Sequence, residues 1–191
     1  MDWIIAVEWS ARVILVGLVG LSIWSVSIIL DRRSFFQTWD SFLSMDELIA
    51  KIEKGEVPSL NEDDPRMMFL NRAKSFLLDK EKLDTFFIAF VNQSQKKWKD
   101  GLSVLGTLGS TTPFIGLLGT ILGIIVSFRE LSKGNVDMKG VMFSLAEALI
   151  LTAVGLAVAI PAVIAFNYFN KKTSQMIKDI ETIKELQKTF T

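Results

Sequence analysis

The sequence predicts an all-α integral membrane protein, with three transmembrane helices, a helical cytoplasmic domain and long helices that extend out of the bilayer. Three observations lead to this prediction. Half of the 191 residues are hydrophobic, and the 21 basic and 21 acidic residues are absent from three long blocks. Basic residues are concentrated between the first two blocks and after the third. Helix-capping patterns occur in the segment between the first two blocks. A strand-rich fold has almost no support in the residue pattern.

The three charge-free blocks are long enough to cross a membrane. Residues 13–30, 102–128 and 148–170 contain no Asp, Glu, Lys or Arg. A helix needs about 20 predominantly apolar residues to cross the roughly 30 Å hydrocarbon layer. The second and third blocks exceed that length, and the first reaches it with its flanks. Because Asp2 and Glu8 stand where a signal peptide has its basic amino-terminal region, and no small-residue cleavage site follows Leu30, we interpret the first block as a retained anchor.

The distribution of Lys and Arg predicts the orientation, because these residues accumulate on the cytoplasmic side of membrane spans. Seventeen of them lie between the first two blocks or after the third, and four lie elsewhere. The predicted segments, in order, are an outer amino terminus (1–12), a first span (13–30), a cytoplasmic helical domain (31–101), a second span (102–129), an outer loop (130–140), a third span (141–169) and a cytoplasmic C-terminal helix (170–191).

Composition excludes several classes of function. The chain has no cysteine and no histidine, so disulfide frameworks, thiolate metal sites and Cys or His catalysis are excluded. A formal charge of zero gives no reason to expect nucleic-acid binding. We predict no cofactor and no metal site.

The segment between the first two blocks has helical signals. Ser44 and Glu47 fit a capping box, and Gly55 suits the position after the end of that helix. Asp64 and Pro65 predict a second helix start. No helix breaker follows Glu81 before Gly101, so the second membrane helix is expected to begin deep in the cytoplasm. Trp98, within a basic cluster, is expected at the membrane interface.

Small and hydroxyl-bearing residues share one face of each of the last two spans. In the second span, a turn of 100° per residue places them within one arc: Gly109, Thr112, Gly116, Gly119, Thr120, Gly123 and Ser127. The bulky residues of that span are predicted to face away: Leu118, Ile121, Leu122, Ile125 and Val126. In the third span the same arrangement, with Leu151 and Val158 as exceptions, comprises Gly140, Ser144, Glu147, Ala148, Thr152, Gly155, Ala159 and Ala162.

Helix packing alone explains much of this pattern. Small residues let membrane helices approach closely, and a spacing such as Gly119 to Gly123 is common for that reason. Pro113 and Pro161 most simply kink or loosen their helices. A Ser or Thr within a span often bonds back to a carbonyl of its own helix.

Glu147 is harder to explain by packing. A charge at the centre of a bilayer costs about 2.5–3.5 kcal/mol even on lenient insertion scales, and intramembrane ionisable residues usually mark an ion route. A structural ion pair is the competing interpretation. The apolar parts of the spans contain no Lys or Arg that could pair with Glu147. The conceivable partners are Arg129 and Lys139, at the outer rim.

Two segments resemble the signature of the TolQ/ExbB/MotA proton-channel family, and above all its TolQ/ExbB branch. They read LGSTTPFIGLLGTILGIIVSF (108–128) and LAEALILTAVGLAVAIPAVIAFNYF (145–169). That branch typically shows T-x-PF-x-GLFGTVWGI-x-x-F and then I-AEAL-x-x-TA-x-GL-x-x-AIPA. The chain departs from this pattern by having Leu118 and Leu122 in place of Phe and Trp. Three spans and a short outer tail resemble TolQ more than the four-span flagellar MotA branch.

The resemblance implies a subunit of a motor in the bacterial inner membrane, with its amino terminus in the periplasm. Several copies, usually a pentamer, would surround a dimer of single-span TolR/ExbD/MotB-type partners that supply a protonatable aspartate. The family's pore threonines correspond to Thr120 and Thr152, and its intramembrane glutamate corresponds to Glu147. Ser144 lies on the same face and is included with them as a candidate for the proton path. The Gly/Ala faces would give a smooth wall for a rotating partner.

Three other functions stay open. A purely structural scaffold could use Glu147 to fix subunit register. A stator of the flagellar or gliding type would share the family signature. An enzyme using Glu147 as a general base is disfavoured, because the spans hold no convincing acid, nucleophile or metal set within reach.

Overall fold

The computed structural model describes residues 2–40, 44–53, 63–76, 79–132 and 138–190, and within these ranges it is helical apart from short turns. The helices are α1 (Asp2–Asp40), α2 (Met45–Glu53), α3 (Pro65–Ala73), α4 (Lys80–Trp98), α5 (Leu102–Ser132) and α6 (Met138–Phe190), with a 3-10 turn at Lys74–Phe76. No strand occurs among the described residues, so the prediction of an all-α fold is confirmed.

Three of these helices are long and apolar enough to cross a membrane: α1, α5 and α6. At a rise of 1.5 Å per residue, the 53 residues of α6 span about 80 Å, far more than the roughly 30 Å hydrocarbon layer. The expectation of long helices that continue beyond the apolar blocks therefore agrees with the structure. The chain is a multi-pass membrane protein.

The second membrane helix does not begin deep in the polar segment, and that expectation is wrong. Helix α4 ends at Trp98 and α5 begins only at Leu102. Gly101 between them has φ 69°, in the left-handed region that glycine occupies without steric cost. A Cβ at Gly101 would also lie 2.9 Å from Ile28 Cγ2. The chain therefore turns at Gly101 and starts a new helix.

The chain divides into two compact units. The span unit comprises Met1–Leu30 and Gly101–Asn167, and the loop-and-tail unit comprises Asp31–Asp100 and Tyr168–Thr191. Each unit has its own packing, and the candidate functional residues all belong to the span unit.

Within the span unit, α5 and α6 pack through glycine. A Cβ at Gly116 would lie 2.7 Å from the Leu151 carbonyl oxygen and 3.0 Å from Thr152 Cα. From the other side, a Cβ at Gly155 would lie 2.7 Å from the Thr112 carbonyl oxygen and 3.2 Å from Gly116 Cα. The neighbours are backbone atoms that cannot rotate away, so the two helix backbones are in direct contact here.

The small-residue face of α5 is buried as predicted except at half-buried Gly123, whereas Leu122 and Val126 of its bulky face are half-buried, and the predicted face of α6 needs revision. Leu118, Ile121 and Ile125 are exposed, as expected. On α6, Leu151 and Val158 are buried together with Ala148, Gly155, Ala159 and Ala162, whereas Gly140 and Glu147 are exposed. The two exceptions in the pattern are thus part of the packed face, because the missing side chain of Gly119 leaves room for Leu151. Pro113 and Pro161 lie inside continuous helices.

The loop-and-tail unit has an aromatic core. Buried side chains from α2, α3, α4 and the end of α6 form one cluster, which includes Leu48, Phe69, Phe90, Trp98 and Ile180. Trp98 is only 4% exposed and packs edge-on against Trp39 at 5.4 Å. It is therefore a core residue rather than an exposed interfacial anchor, which corrects the expectation from its basic neighbours.

The predicted helix caps in this unit are confirmed. The Glu47 backbone N–H donates to Ser44 Oγ and the Ser44 N–H donates to the Glu47 carboxylate, each at 3.3 Å. Asp64 accepts from the Arg66 backbone N–H at 2.9 Å, with Pro65 at the first helical position. Its carboxylate is also buried against the Arg66 guanidinium at 2.7 Å. The expected helix end at Gly55 lies outside the described residues.

An ion cluster links α4 to the end of α6. Lys188 Nζ lies 2.6 Å from the Asp84 carboxylate, and Lys184 Nζ lies 3.1 Å from it. The hydrogen bond from Lys188, followed by that from Lys184, lowers the pKa of Asp84 below its ordinary value of 3.8. The carboxylate is half exposed, so solvent screens the pair and limits its contribution.

We predict that Gly116→Ala lowers the free energy of unfolding by about 1–3 kcal/mol, because the new methyl group must push α6 backbone atoms aside. Gly17→Ala is the matched control, since a Cβ there meets nothing within 4 Å. It should be neutral or slightly stabilising because alanine favours the helix. Reversible unfolding of the detergent-solubilised chain, followed by circular dichroism, measures both. Equal effects of the two variants would contradict this account of the α5–α6 contact.

We also predict a pH-dependent contribution from Asp84. Because its pKa is lower in the folded chain, its stabilisation is complete above pH 3.8 and is lost as the pH falls through the folded-state value. Asp84→Asn should therefore lower the unfolding midpoint near pH 6 and make no difference in strong acid. Glu181→Gln, which changes an exposed carboxylate in the interior of α6 without a described ion pair, should leave the midpoint unchanged at both pH values. A gap between wild type and Asp84→Asn that persists unchanged in strong acid would contradict the prediction.

Candidate functional site

The two predicted pore threonines meet at the contact between α5 and α6. The hydroxyls of Thr120 and Thr152 are hydrogen-bonded to each other. Thr120 Oγ1 also lies 3.2 Å from the Gly116 carbonyl of its own helix and 3.3 Å from the Ala148 carbonyl of α6. Because one hydroxyl has a single proton, Thr120 can donate to only one of these acceptors at a time. The pair can therefore reorient its hydrogen bonds without moving the backbone.

The glycines of α5 bring this pair together. The contact of Gly116 with Gly155 lies one turn from Thr120 and three residues from Thr152. One turn beyond Thr120, a Cβ at Gly123 would collide with the Ala148 side chain. Thr120 is 7% exposed, and Thr152 is only partly buried. Thr152 is thus the member of the pair that is open to the surroundings.

Three further residues of the α5 face, Gly109, Thr112 and Ser127, take part in packing. A Cβ at Gly109 would collide with the Val163 side chain of α6. Thr112 is fully buried and donates to the Leu108 carbonyl of its own helix at 2.7 Å. Ser127 donates in the same way to the Gly123 carbonyl at 2.9 Å. These contacts agree with the interpretation that small residues and back-bonded hydroxyls allow close approach.

Glu147 lies apart from the threonines, on the wall of a cavity of about 210 Å³ between α1, α5 and α6. Ser144 shares this wall, as the sequence pattern predicts, whereas neither Thr120 nor Thr152 does. Ala148 lies between Glu147's cavity and the threonine pair. It lines the cavity, and its carbonyl oxygen lies 3.3 Å from Thr120 Oγ1. The predicted site therefore divides into two neighbouring sites: the hydroxyl pair of Thr120 and Thr152, and the cavity that Glu147 and Ser144 line.

Arg12 lines the same cavity as Glu147, and the sequence pattern did not indicate this. The rim residues Arg129 and Lys139, considered as partners, do not line it and have other interactions. Leu122 and Val126, expected to face away, are also on the cavity wall. A signal for Arg12 was present in its position: it is the only Lys or Arg among residues 1–30, and it directly precedes the first charge-free block.

The described residues include no group of three acidic, His or Cys side chains that could hold a metal ion. What the span unit offers is oxygen chemistry: two paired hydroxyls in a tight helix contact and one carboxylate beside a cavity. Groups of this kind, along with trapped water, are what a proton needs to move through a region that lipid would otherwise insulate.

These features define a helical, multi-pass membrane protein with a polar site inside its spans, as in ion-conducting proteins. The chain belongs to the MotA/TolQ/ExbB proton channel family, whose model matches residues 62–182. The family resemblance drawn from the two segments of the sequence is thus confirmed. The chain is a member of a proton-channel family of the energy-transducing motor type.

Named relatives of both branches are similar to this chain. It is 43% identical over 93 residues to the biopolymer transport protein ExbB of Xanthomonas campestris pv. campestris (strain B100), covering 48% of this chain and 37% of that protein. It is 43% identical over 88 residues to the Tol-Pal system protein TolQ of Pseudomonas aeruginosa, covering 46% and 38%. It is 41% identical over 92 residues to the biopolymer transport protein ExbB of Aquifex aeolicus, covering 48% and 62%. The matched stretches thus span 37% to 62% of these relatives' lengths.

We predict that Thr120→Val and Thr152→Val each lower the free energy of unfolding by roughly 0.5–1.5 kcal/mol, the usual range for a hydrogen bond between membrane helices. The double variant should lose less than the sum of the two, because both single changes remove the same bond. Thr111→Val is the control, since the Thr111 hydroxyl is exposed and bonds to Thr107 of its own helix. Strictly additive losses would show that the two hydroxyls are not coupled.

Proposed function

We propose that the chain is a ring-forming subunit of a motor driven by the proton-motive force. It would lie in the bacterial inner membrane, with the amino terminus in the periplasm and the carboxyl terminus in the cytoplasm. Several copies, five by family resemblance, would surround a dimer of a single-span TolR/ExbD-type protein. Proton flow through this assembly would transmit energy to the cell envelope.

The observation that carries this proposal is the hydrogen-bonded pair of Thr120 and Thr152, in a chain of the proton channel family. A scaffold needs close packing, and the glycines already supply it. Two hydroxyls that bond to each other across the contact have a further capacity. Each can donate to or accept from a new group, because a hydroxyl has one donor and two acceptor positions.

The exposure of the two hydroxyls suggests their order along the path. Thr152 is partly exposed and Thr120 is buried behind it. Thr152 would therefore meet water or the partner's carboxylate first, and Thr120 would hold the Thr152 hydroxyl in position. No aspartate lies in the three predicted spans, 13–30, 102–129 and 141–169. A partner would therefore have to supply the aspartate carboxylate that takes up and releases the proton at the level of Thr152.

Glu147 and Ser144 would act at the end of the spans where α1 and α6 begin. Their cavity can hold several water molecules, since one needs only about 10–15 Å³ of such volume. Protons could enter there and pass toward Thr152, which lies five residues further along α6. The driving force is adequate, at about 2.3 kcal/mol per charge for each 100 mV of membrane potential.

We predict that proton uptake by liposomes holding the ring and its single-span partner falls at least about tenfold in Thr152→Val and in Glu147→Ala. The physical reason is that each variant deletes an oxygen that would hold water or accept a proton; a tenfold loss corresponds to about 1.4 kcal/mol, the scale of one hydrogen bond. Thr111→Val, which removes an exposed hydroxyl elsewhere on α5, should conduct as wild type does.

Undiminished uptake in both variants would remove this assignment of the site. If Glu147→Gln also retained assembly and envelope activity, the scaffold function would be favoured instead. Assembly is measured in parallel, by the mass of the detergent-solubilised complex, so that a loss of flux is not confused with a loss of the ring.

A further inference from the structure

We propose that Arg12 is the counter-charge of Glu147, and that it positions the Glu147 carboxylate across a water-filled cavity at the mouth of the proton path. This inference rests on the proposed function for its consequence, proton flux. The pairing itself rests on the span unit alone. Arg12 comes from α1, at the start of the first span, and Glu147 comes from α6, nine residues after Met138.

The charges around the cavity favour this pairing. Arg12 and Glu147 are the two charged side chains on its described wall, and they have opposite signs. The rest of that wall is apolar or small except for Ser144, as Leu122 and Val126 show. Opposite charges attract more strongly where the surroundings are poorly polarisable than they do in bulk water. Each charge therefore lowers the cost of having the other one at this depth.

We infer that the two groups interact through water. No direct ion pair of 4.0 Å or less joins Arg12 to Glu147, and the cavity has room for several water molecules between them. The Arg12 guanidinium also lies over the Trp9 ring, 5.9 Å from its centroid. Trp9 lies one turn earlier on α1, so this contact restricts the orientation of the Arg12 side chain. Five guanidinium N–H donors can then bind water molecules that in turn donate to the carboxylate.

Among the described residues, the other charged groups near this end of the spans do not replace Arg12. Arg129 and Glu130 at the end of α5, and Lys139 at the start of α6, each have an interaction of their own, and none of them lines the cavity. They supply matched controls, because they carry charges at the same end of the span unit. A long-range electrostatic effect would respond to Arg129 and Lys139 as it does to Arg12, whereas a local pair would not.

The first experiment tests the geometry without any assay of flux. The chain has no cysteine, so paired cysteines can be introduced on a clean background. Arg12→Cys with Glu147→Cys should be cross-linked within one chain by a short bifunctional methanethiosulfonate, as read by mass spectrometry after proteolysis. Arg12→Cys with Leu149→Cys is the control, because Leu149 is exposed and two residues away, on another side of α6. Equal yields in the two pairs, or links only between different chains, would overturn the pairing.

The second experiment measures proton uptake by the reconstituted ring and partner. Arg12→Gln should reduce uptake about tenfold, and Arg12→Lys should retain most of it because the charge is kept. Arg12→Glu, which places two carboxylates on one cavity, should be worse than Arg12→Gln. The exchanged variant, Arg12→Glu with Glu147→Arg, should recover uptake relative to either single reversal. Arg129→Gln and Lys139→Gln should remain within about twofold of wild type.

A failure of the proposed function can be distinguished from a failure of the pairing between Arg12 and Glu147. If Glu147→Ala leaves uptake unchanged, the proposed function of this site fails, while the cross-linking still decides whether the pair exists. If Glu147→Ala abolishes uptake but Arg12→Gln does not alter it, the pairing with Arg12 fails and the proton path stands. An exchanged variant no better than Arg12→Glu alone would also overturn the pairing, provided that the ring still assembles.

Discussion

The direct backbone contact between α5 and α6 is the constraint on which the span unit depends. At Gly116 and Gly155 there is no space for even a methyl group, because carbonyl oxygens and Cα atoms of the opposite helix occupy that position. Burial of apolar surface does little to drive helices together inside lipid, because the lipid is itself apolar. Close packing and hydrogen bonds must therefore drive the association. The glycines provide the first, and the bond between Thr120 and Thr152 provides the second.

The same contact explains how a polar group can remain inside a membrane. A hydroxyl exposed to lipid would lack a partner, but Thr120 finds three acceptors within reach because the helices are so close. Packing and chemistry are therefore not alternatives at this place. The close approach creates the polar pair, and the pair in turn stabilises the close approach. A functional residue and a structural residue can be the same threonine.

The loop-and-tail unit is held by different forces. Its core is aromatic, with Phe69, Phe90 and Trp98 buried together, and its edges carry ion pairs such as the one between Asp84 and Lys188. These are the interactions of a water-soluble domain, where burial of apolar surface is favourable. Along the chain, the turn at Gly101 lies at one of the boundaries between the two units. Basic residues around Trp98 suggested a surface anchor, but local composition does not show which side chains a neighbouring helix covers.

The sequence by itself determined the three spans, the helical fold and the small-residue face of α5, because each of these follows from local periodicity or from the absence of charge over a long block. It also indicated Thr120, Thr152 and Glu147. Only the tertiary structure decided which residues meet. It buried Leu151 opposite Gly119, separated Glu147 from the threonines, and brought Arg12 to the same cavity as Glu147 from 135 positions away in the chain. Such meetings depend on how helices pack in three dimensions, and the period of a single helix carries no information about that.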